Sequence, residues 1–284
     1  MRPLRELDEE QVDVGGVPTR FLLAGEGRPM VLLHADGDNR LDWRWVLERL
    51  ATHHRVYAPD LPGFGGTGTP PDCSPEFFEG FVRDFLDALG LDSSILVGNS
   101  LGGLAALRVA LHAADRVSAL CLVGSAGLGG EVSLALRQLT MPGVGEAAIW
   151  WGRTGVGAAQ RLLLRLPLLF GNPTRVPPLW LAEQYRLAQL PGFLDTTLAA
   201  LRAQVEPKGQ KQVLVNDLSR LTVPTLVVWG GRDLVVPVSQ ARTAARLLPS
   251  GSLEVIANTG HLPHVEQPEK FVTALSGFVT ASRG

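Results

Sequence analysis

The hydrophobic residues of this chain fall into short apolar runs that alternate with longer segments of helical periodicity. The runs that have the length and apolar character of strands cover residues 11–14, 20–24, 30–34, 55–58, 95–97, 117–123, 225–229 and 252–256. Helical spacing follows at residues 41–51, 75–89, 104–114, 238–248 and 268–282. The first two runs are split by Gly15-Gly16-Val17-Pro18 and predict an antiparallel hairpin. The later alternation predicts an α/β fold with a mostly parallel sheet, covered by helices on both faces.

One long segment interrupts this alternation. Between residues 125 and 205 no strand pattern occurs, and helical patches lie among scattered glycines and prolines. We therefore predict a core formed by residues 1–124 and 206–284, with a helical insertion over residues 125–205. The apolar residues of the insertion exceed what thin helices need to pack on one another, so we expect some of them to face a cavity.

The composition is that of a globular protein. The 284 residues are 45% hydrophobic and 19% charged, enough for a large buried core. A net charge of −2 gives no support for binding to nucleic acid or to an anionic membrane. No uninterrupted apolar stretch has the length of a membrane span, and no secretory signal is visible, so we predict a cytoplasmic protein. Cys73 and Cys121 have neither redox nor metal-binding spacing.

The stretch from Ser94 to Ala113 carries the strongest chemical signal. The apolar run that ends at Val97 passes into a helix through Gly98-Asn99-Ser100-Leu101-Gly102-Gly103, with no residues left for a loop. So short a turn forces an unusual backbone conformation, and the flanking glycines remove side chains that would clash there. Ser100 then lies exposed at the carboxyl end of its strand, above a helix N-terminus with free N–H groups. We predict that Ser100 is a nucleophile; a turn needed only for packing is the alternative.

A serine nucleophile needs a base, and that base needs an anionic partner. His261 follows Gly260 just past the last strand, whereas His264 shares this loop without a preceding glycine. Asp233 follows the strand that ends at Trp229, where a helix N-cap is the alternative role. Ser100, Asp233 and His261 each follow a strand, in the order of the serine hydrolase triad of α/β folds. The remaining histidines considered are expected in a surface turn (His53 and His54) or on the wrong side of the elbow helix (His112).

Five motifs together resemble the α/β-hydrolase fold superfamily over nearly the full length of the chain. They are VLLH at 31–34, DLPGFG at 60–65, GNSLGG at 98–103, VVWGGRDLVVP at 227–237 and GHLPHVEQPE at 260–269. The resemblance implies an eight-stranded sheet, Ser100 as nucleophile, Asp233 as acid and His261 as base. It also implies that the insertion at 125–205 is a helical cap. Such a hydrolase acts on a small molecule and needs neither a metal nor an organic cofactor.

The resemblance further implies an oxyanion hole made of two backbone N–H groups. One would be that of Leu101, and the other that of Asp36 in the loop after the strand at 30–34. Ala35 stands where the family has glycine and is the alternative donor. A carboxylate at Asp36 would oppose a developing oxyanion unless it points away or is protonated.

The predicted reaction is hydrolysis of carboxylic esters of small to medium apolar compounds through an acyl-enzyme. Epoxide hydrolases and haloalkane dehalogenases of this fold have an aspartate where Ser100 stands and are disfavoured. Carbon–carbon bond hydrolases of ring-cleavage products share Asn99, but they have tryptophan at the position of Leu262 and a glycine-rich loop where this chain has ADGDN. A cofactor-free perhydrolase and a slow-turnover small-molecule receptor are further alternatives. Several arginines of the insertion are candidates to hold a substrate carboxylate, although we expect most to face solvent: Arg153, Arg161, Arg165, Arg175 and Arg186.

Overall fold

The computed structural model describes residues 8–282, which begin with the predicted hairpin. Its strands are β1 (Asp8–Val14) and β2 (Val17–Ala24). The turn contains only Gly15 and Gly16, both at positive φ, as a two-residue hairpin turn requires. The predicted turn was too long, because Val17 and Pro18 already belong to β2 and pair with β1.

A single eight-stranded sheet organises the chain. Besides β1 and β2 it contains β3 (Arg28–Leu33), β4 (His54–Pro59), β5 (Ser94–Asn99), β6 (Val117–Val123), β9 (Thr225–Gly230) and β10 (Gly251–Ile256). The order is β1-β2-β4-β3-β5-β6-β9-β10. The β1–β2 and β2–β4 pairs are antiparallel, and every other neighbouring pair of this sheet is parallel. A separate two-stranded ladder pairs β7 (Val205–Glu206) with β8 (Gly209–Gln210). The predicted α/β-hydrolase fold class is confirmed.

Both faces of the sheet are buried. Along β3, Val31 and Leu33 belong to one apolar cluster, and Met30 and Leu32 belong to the other, because alternate side chains point to opposite faces. One face is covered by α2 (Pro75–Ala88), α3 (Leu101–His112) and α9 (Val238–Leu247). The other is covered by α1 (Arg44–Leu50) and α11 (Pro268–Ala281), and the one-turn helix α10 (Pro263–Glu266) precedes α11.

Five helices lie between β6 and β9, in the segment predicted to be an insertion. We call them the inserted helices: α4 (Leu134–Leu139), α5 (Val144–Gly152), α6 (Gly155–Leu169), α7 (Pro178–Ala188) and α8 (Phe193–Gln204). Phe193 and Trp180 of this segment are buried in the apolar cluster that also contains residues of α2, α3 and α9. The inserted helices therefore pack on the side of the core that carries α3. Among residues 8–282, no helix has the length and hydropathy needed to cross a bilayer.

Two buried polar residues fix the loops that follow β3 and β4. His34 donates from Nδ1 to the carbonyl oxygen of Ala35 at 2.8 Å, and its Nε2 accepts from the N–H of Leu61 at 2.9 Å. Burial lowers the pKa of His34 to about 4, so the ring is neutral and can play both parts. Asp60 accepts backbone N–H bonds from Arg40 and Gly66, each 2.7 Å long.

The expected surface position of His54 is wrong. His54 is the first residue of β4, where it pairs with Arg28 of β3 and is buried. Its Nδ1 lies 3.3 Å from the carbonyl oxygen of Leu50 at the end of α1. Because strand residues alternate between faces, a shift of the strand start by one residue decides whether this ring points inward.

Candidate active site

The turn between β5 and α3 has the strained geometry expected of a nucleophile elbow. Ser100 has φ 51° and ψ −111°, a conformation that is costly for a residue with a side chain. A Cβ atom at Gly98 would lie 2.2 Å from the carbonyl oxygen of Gly102, and one at Gly102 would lie 2.4 Å from that of Leu33. Only glycine fits at these two positions, so the motif follows from the tight packing of the elbow against β3 and α3.

Asp233 and His261 come together after β9 and β10. The Nδ1 atom of His261 donates to Oδ2 of Asp233 at 2.8 Å, and both side chains are buried. Oδ1 of Asp233 accepts the N–H groups of Val235 and Val236 at 2.8 and 3.0 Å. The carboxylate is thus held by the backbone on one oxygen and presents the other to the imidazole. This bond fixes the proton on Nδ1 and leaves Nε2 as the unprotonated nitrogen.

The loop that carries His261 is anchored by groups on three sides. The backbone N–H of His261 donates to the carbonyl oxygen of Leu169, at the end of α6, at 2.8 Å. Its carbonyl oxygen accepts from Nδ2 of Asn99 at 3.2 Å. The carboxylate of Glu266 accepts the N–H of Gly260 at 2.9 Å and also those of Gly171 and Asn172, at 2.9 and 2.8 Å. Glu266 therefore ties the histidine loop to the inserted segment. Sequence reasoning missed it, although it lies in the GHLPHVEQPE motif.

A cavity of about 470 Å³ opens beside Ser100 and His261. This volume is in the range of small-molecule sites. The walls are mostly apolar side chains of the inserted helices, including Leu136, Leu168 and Leu198. The expectation that part of the apolar excess of this segment faces a cavity is met.

The polar corner of the cavity divides the five candidate arginines into two groups. Arg153, Arg175 and Arg186 are exposed, as expected for most of the set, whereas Arg161 and Arg165 line the cavity. The Nη2 atoms of these two guanidinium groups would each lie 3.4 Å from a Cβ atom at Gly37. The two cations therefore meet directly above the loop that follows β3.

The two arginines differ in their partners. Arg165 donates to the side-chain oxygen of Gln184, whose Nε2 donates to Oδ1 of Asp38 at 2.6 Å. For Arg161, no hydrogen-bond acceptor lies among residues 8–282. Burial, followed by the charge of Arg165, lowers the pKa of Arg161 to about 9. The charges of Asp38 and Asp36 raise this pKa without balancing the two larger effects. An anion beside Arg161 would act in the same direction as these carboxyl groups, so this corner suits a ligand with a negative charge.

Asp36, the predicted oxyanion-loop residue, also lines the cavity. Burial raises the pKa of its carboxyl group to about 8, so the group is mostly protonated at neutral pH. The negative charge that would oppose an oxyanion is therefore largely absent. The backbone N–H groups of Asp36 and Leu101 donate to no acceptor in the described part of the chain. Both are thus free to act as donors to a ligand.

His264 packs against aromatic side chains and does not line the cavity. Its ring stacks on Trp43 with centroids 4.2 Å apart and also lies near Phe271. Neither ring nitrogen has a hydrogen-bond partner within residues 8–282. Burial, followed by the charge of His261, lowers the pKa of His264 to about 3, which keeps the ring neutral.

Substitution of His264 by phenylalanine is expected to make folding stability less sensitive to acid. The pKa of His264 is about 3 in the folded protein, against about 6.5 in the unfolded chain, so the unfolded chain binds the extra proton between these values. Stability due to neutral His264 is complete above pH of about 6.5 and decreases as the pH falls towards the folded value. Between roughly pH 7 and 5 the wild type should lose on the order of 2 kcal/mol more than the variant. Urea unfolding at both pH values measures this difference, and equal losses would contradict it.

Comparison with known proteins places the chain in a family. The model of the α/β-hydrolase family matches residues 30–274, so the chain belongs to the α/β-hydrolase family. The resemblance inferred from the five motifs is thereby confirmed.

Similarity to individual proteins extends over almost the whole chain. A 2-hydroxy-6-oxo-6-(2'-aminophenyl)hexa-2,4-dienoic acid hydrolase from Metapseudomonas resinovorans is 31% identical over 277 residues, covering 96% of this chain and 91% of that protein. The solved structure of a serine hydrolase involved in carbazole degradation is 29% identical with a TM-score of 0.80, and covers 97% of this chain and 99% of its own. A membrane phospholipase A is 26% identical with a TM-score of 0.82, over 98% of this chain and 87% of its own.

Proposed function

We propose that this protein is a serine hydrolase that cleaves carboxylic esters of small to medium apolar compounds through an acyl-enzyme. The observation that carries the proposal is the 2.8 Å bond from Nδ1 of His261 to Asp233, beside a cavity that both His261 and the strained Ser100 line. This arrangement provides a nucleophile, a base and an orienting carboxylate at one end of an apolar binding space.

The proposed reaction has two half-reactions. Ser100 Oγ attacks the ester carbonyl carbon while Nε2 of His261 takes the hydroxyl proton, and that proton then passes to the departing alkoxide. Water next attacks the acyl-enzyme, with His261 again accepting the proton and returning it to Ser100. The carboxylate of Asp233 stabilises the imidazolium ion in both steps. The N–H groups of Leu101 and Asp36 are the proposed donors to the oxyanion, each worth about 10²- to 10³-fold in rate.

The inserted helices are proposed to act as a cap. In this division, residues 1–124 and 206–284 form the catalytic core, and residues 125–205 form the substrate-binding wall. The bond from His261 to Leu169 and the bonds of Glu266 to Gly171 and Asn172 support this role, because they join the cap to a catalytic loop. A cytoplasmic location belongs to the same proposal.

A fluorophosphonate probe tests the assignment of the nucleophile. The wild-type protein should become labelled on the peptide that contains Ser100 and should lose its turnover of p-nitrophenyl butyrate in parallel. The Ser100→Ala variant should take up no label. Labelling at another residue, or ester turnover that survives in Ser100→Ala, would refute the proposal.

Hydrolysis of a carbon–carbon bond in a vinylogous diketone acid is the second candidate. Arg161 favours it, because this cation lines the cavity without a hydrogen-bond acceptor in residues 8–282, and such a substrate has a carboxylate for it to bind. The similarity to a dienoic acid hydrolase also supports it. The residue after the base is Leu262, which departs from the usual tryptophan of that group. The same Ser100, Asp233 and His261 would serve this reaction.

Arg161→Met separates the two candidates. If the substrate is a dienoic acid, kcat/KM measured by loss of the dienol absorbance should fall about 100-fold, because one charge-assisted bond to the carboxylate is lost. Turnover of the uncharged p-nitrophenyl butyrate should change little. Arg153→Met, at an exposed position of the same segment, is the matched control and should leave both rates unchanged. If the wild type leaves the dienol absorbance unaltered, the second candidate is wrong.

A further inference from the structure

The outward face of α6 is apolar, unlike that of an ordinary surface helix. Its outward face carries Val156, Leu163 and Leu164, with exposed fractions of 70%, 67% and 64%. These residues lie at i, i+7 and i+8 and therefore share one face. Arg161 and Arg165 occupy the opposite face and point into the cavity. Leu162, Leu166 and Leu169 also face inward, so α6 is apolar on both faces. An apolar outward face of this kind suits an apolar surrounding.

Exposed apolar side chains also occur on α4 and α5, and α5 contacts both α4 and α6. We define the apolar rim as six exposed side chains: Leu134, Trp150, Trp151, Val156, Leu163 and Leu164. Trp150 is 71% exposed and Leu134 is 63% exposed. Within residues 8–282, ten of the fourteen exposed large hydrophobic side chains lie between residues 134 and 185. Such a concentration marks an interaction surface.

The rim is continuous with the entrance to the cavity. Trp151 and Leu164 belong both to the rim and to the wall of the cavity that contains Ser100. A second copy of the chain seated on the rim would cover side chains at this entrance. A lipid surface at the same place would instead bring acyl chains to it. The continuity therefore favours a lipid surface as the occupant.

Charge points to the same occupant. Residues 125–205 contain seven arginines and no lysine against four acidic residues, although the whole chain has a net charge of −2. Not all of this charge is on the surface, because Arg161 and Arg165 line the cavity, and three surface arginines pair with Asp195, Glu183 and Glu146. Arg137, one helical turn after Leu134 of the rim, has no acidic partner among residues 8–282 and can bind an anionic headgroup. Tryptophan side chains such as Trp150 are favoured at the boundary between headgroups and acyl chains.

We propose that the apolar rim docks on the surface of an anionic phospholipid aggregate, from which amphiphilic acyl esters enter the cavity. The inference rests on the proposed function for the chemistry, but the docking itself does not need catalysis. This proposal departs from the expectation, drawn from net charge, that no membrane surface is a partner, because exposed apolar side chains are concentrated in the inserted segment. Docking at the surface requires no membrane-spanning helix.

The first experiment measures docking without hydrolysis. Full-length Ser100→Ala is sedimented with vesicles of phosphatidylcholine, with and without phosphatidylglycerol. It should bind the anionic vesicles more tightly, and Trp150→Gln or Leu163→Gln in the same background should weaken binding about tenfold, the amount expected for one buried apolar side chain. Leu247→Gln, at an exposed leucine of the core helix α9, is the matched control.

Two outcomes of the vesicle experiment would contradict docking by the apolar rim. Absence of binding to either kind of vesicle, or an equal loss in Leu247→Gln, would overturn the proposal. Sedimentation velocity of the same proteins tests the alternative occupant, a second copy of the chain. A concentration-dependent dimer that Leu163→Gln dissociates, together with no vesicle binding, would assign the rim to a second copy of the chain.

The second experiment measures substrate entry in the catalytically intact chain. The rate of hydrolysis of a long-chain p-nitrophenyl ester should rise steeply once the ester aggregates, and Trp150→Gln and Leu163→Gln should lose this rise. Both variants should retain wild-type turnover of soluble p-nitrophenyl acetate, because neither side chain lines the cavity. A rate that does not rise when the ester aggregates would contradict the proposed entry of substrate from an aggregate. If Ser100→Ala binds vesicles while the wild type hydrolyses no ester, docking is supported and the proposed function fails.

Discussion

Replacement of His261 by alanine is expected to lower kcat/KM for p-nitrophenyl butyrate by about four to six orders of magnitude. The imidazole is the proposed base in both half-reactions, and His261 Nδ1 already donates to Asp233 at 2.8 Å. The bonds that anchor the loop use backbone atoms of His261, with Leu169 and Asn99 as partners, so they persist without the ring. The variant should therefore keep its fold. Steady-state kinetics together with thermal unfolding measure both expectations.

His264→Phe is the control for this result. It lies three residues further along the same segment and retains an aromatic ring that can stack on Trp43. Because its nitrogen atoms have no partner among the described residues, their removal should leave turnover close to that of the wild type. A large loss in His264→Phe, or a His261→Ala variant that keeps a tenth of its activity, would contradict the assignment of His261 as the base.

The positions at the sheet edge were predictable because topology fixes them. Strands in a parallel sheet end at one edge, so residues that directly follow β5, β9 and β10 must lie near one another. This rule placed Ser100, Asp233 and His261 together before any side-chain position was known, and the glycines of the elbow fixed the turn. The central strands were predictable because short apolar runs buried on both faces leave a clear pattern. The edge strands β1 and β10 are mostly exposed and have a weaker pattern.

The cavity wall was less predictable because helical periodicity does not show which face of a helix is turned inward. In α6 leucines lie on both faces, with Leu162 and Leu166 inward and Leu163 and Leu164 outward. The pattern therefore does not show which of the candidate arginines line the cavity, as Arg161 and Arg165 do. The raised pKa of Asp36 is equally hidden from the sequence, because it results from burial by segments distant along the chain. Glu266 was missed because its partners are backbone N–H groups, which have no sequence signature.

Asp233→Asn is expected to lower kcat/KM by about four orders of magnitude without unfolding the protein. The backbone decides the orientation of the new amide. The N–H groups of Val235 and Val236 both donate to Oδ1 of Asp233, so an asparagine must place its carbonyl oxygen there to avoid opposing two donors. Its NH₂ group then takes the position of Oδ2 and faces Nδ1 of His261. The imidazole must accept that hydrogen bond, which moves its own proton to Nε2.

An imidazole protonated on Nε2 cannot accept the proton of Ser100, so the loss arises from the wrong tautomer and not from a displaced ring. The retained bonds to Val235 and Val236 predict a melting temperature close to that of the wild type. Asp233→Ala removes the acceptor of both N–H groups as well as the partner of His261. It should therefore lose activity to a similar extent and be destabilised by about 1–3 kcal/mol for each N–H left unpaired. If Asp233→Asn keeps more than about a tenth of the wild-type rate, Asp233 does not orient the base.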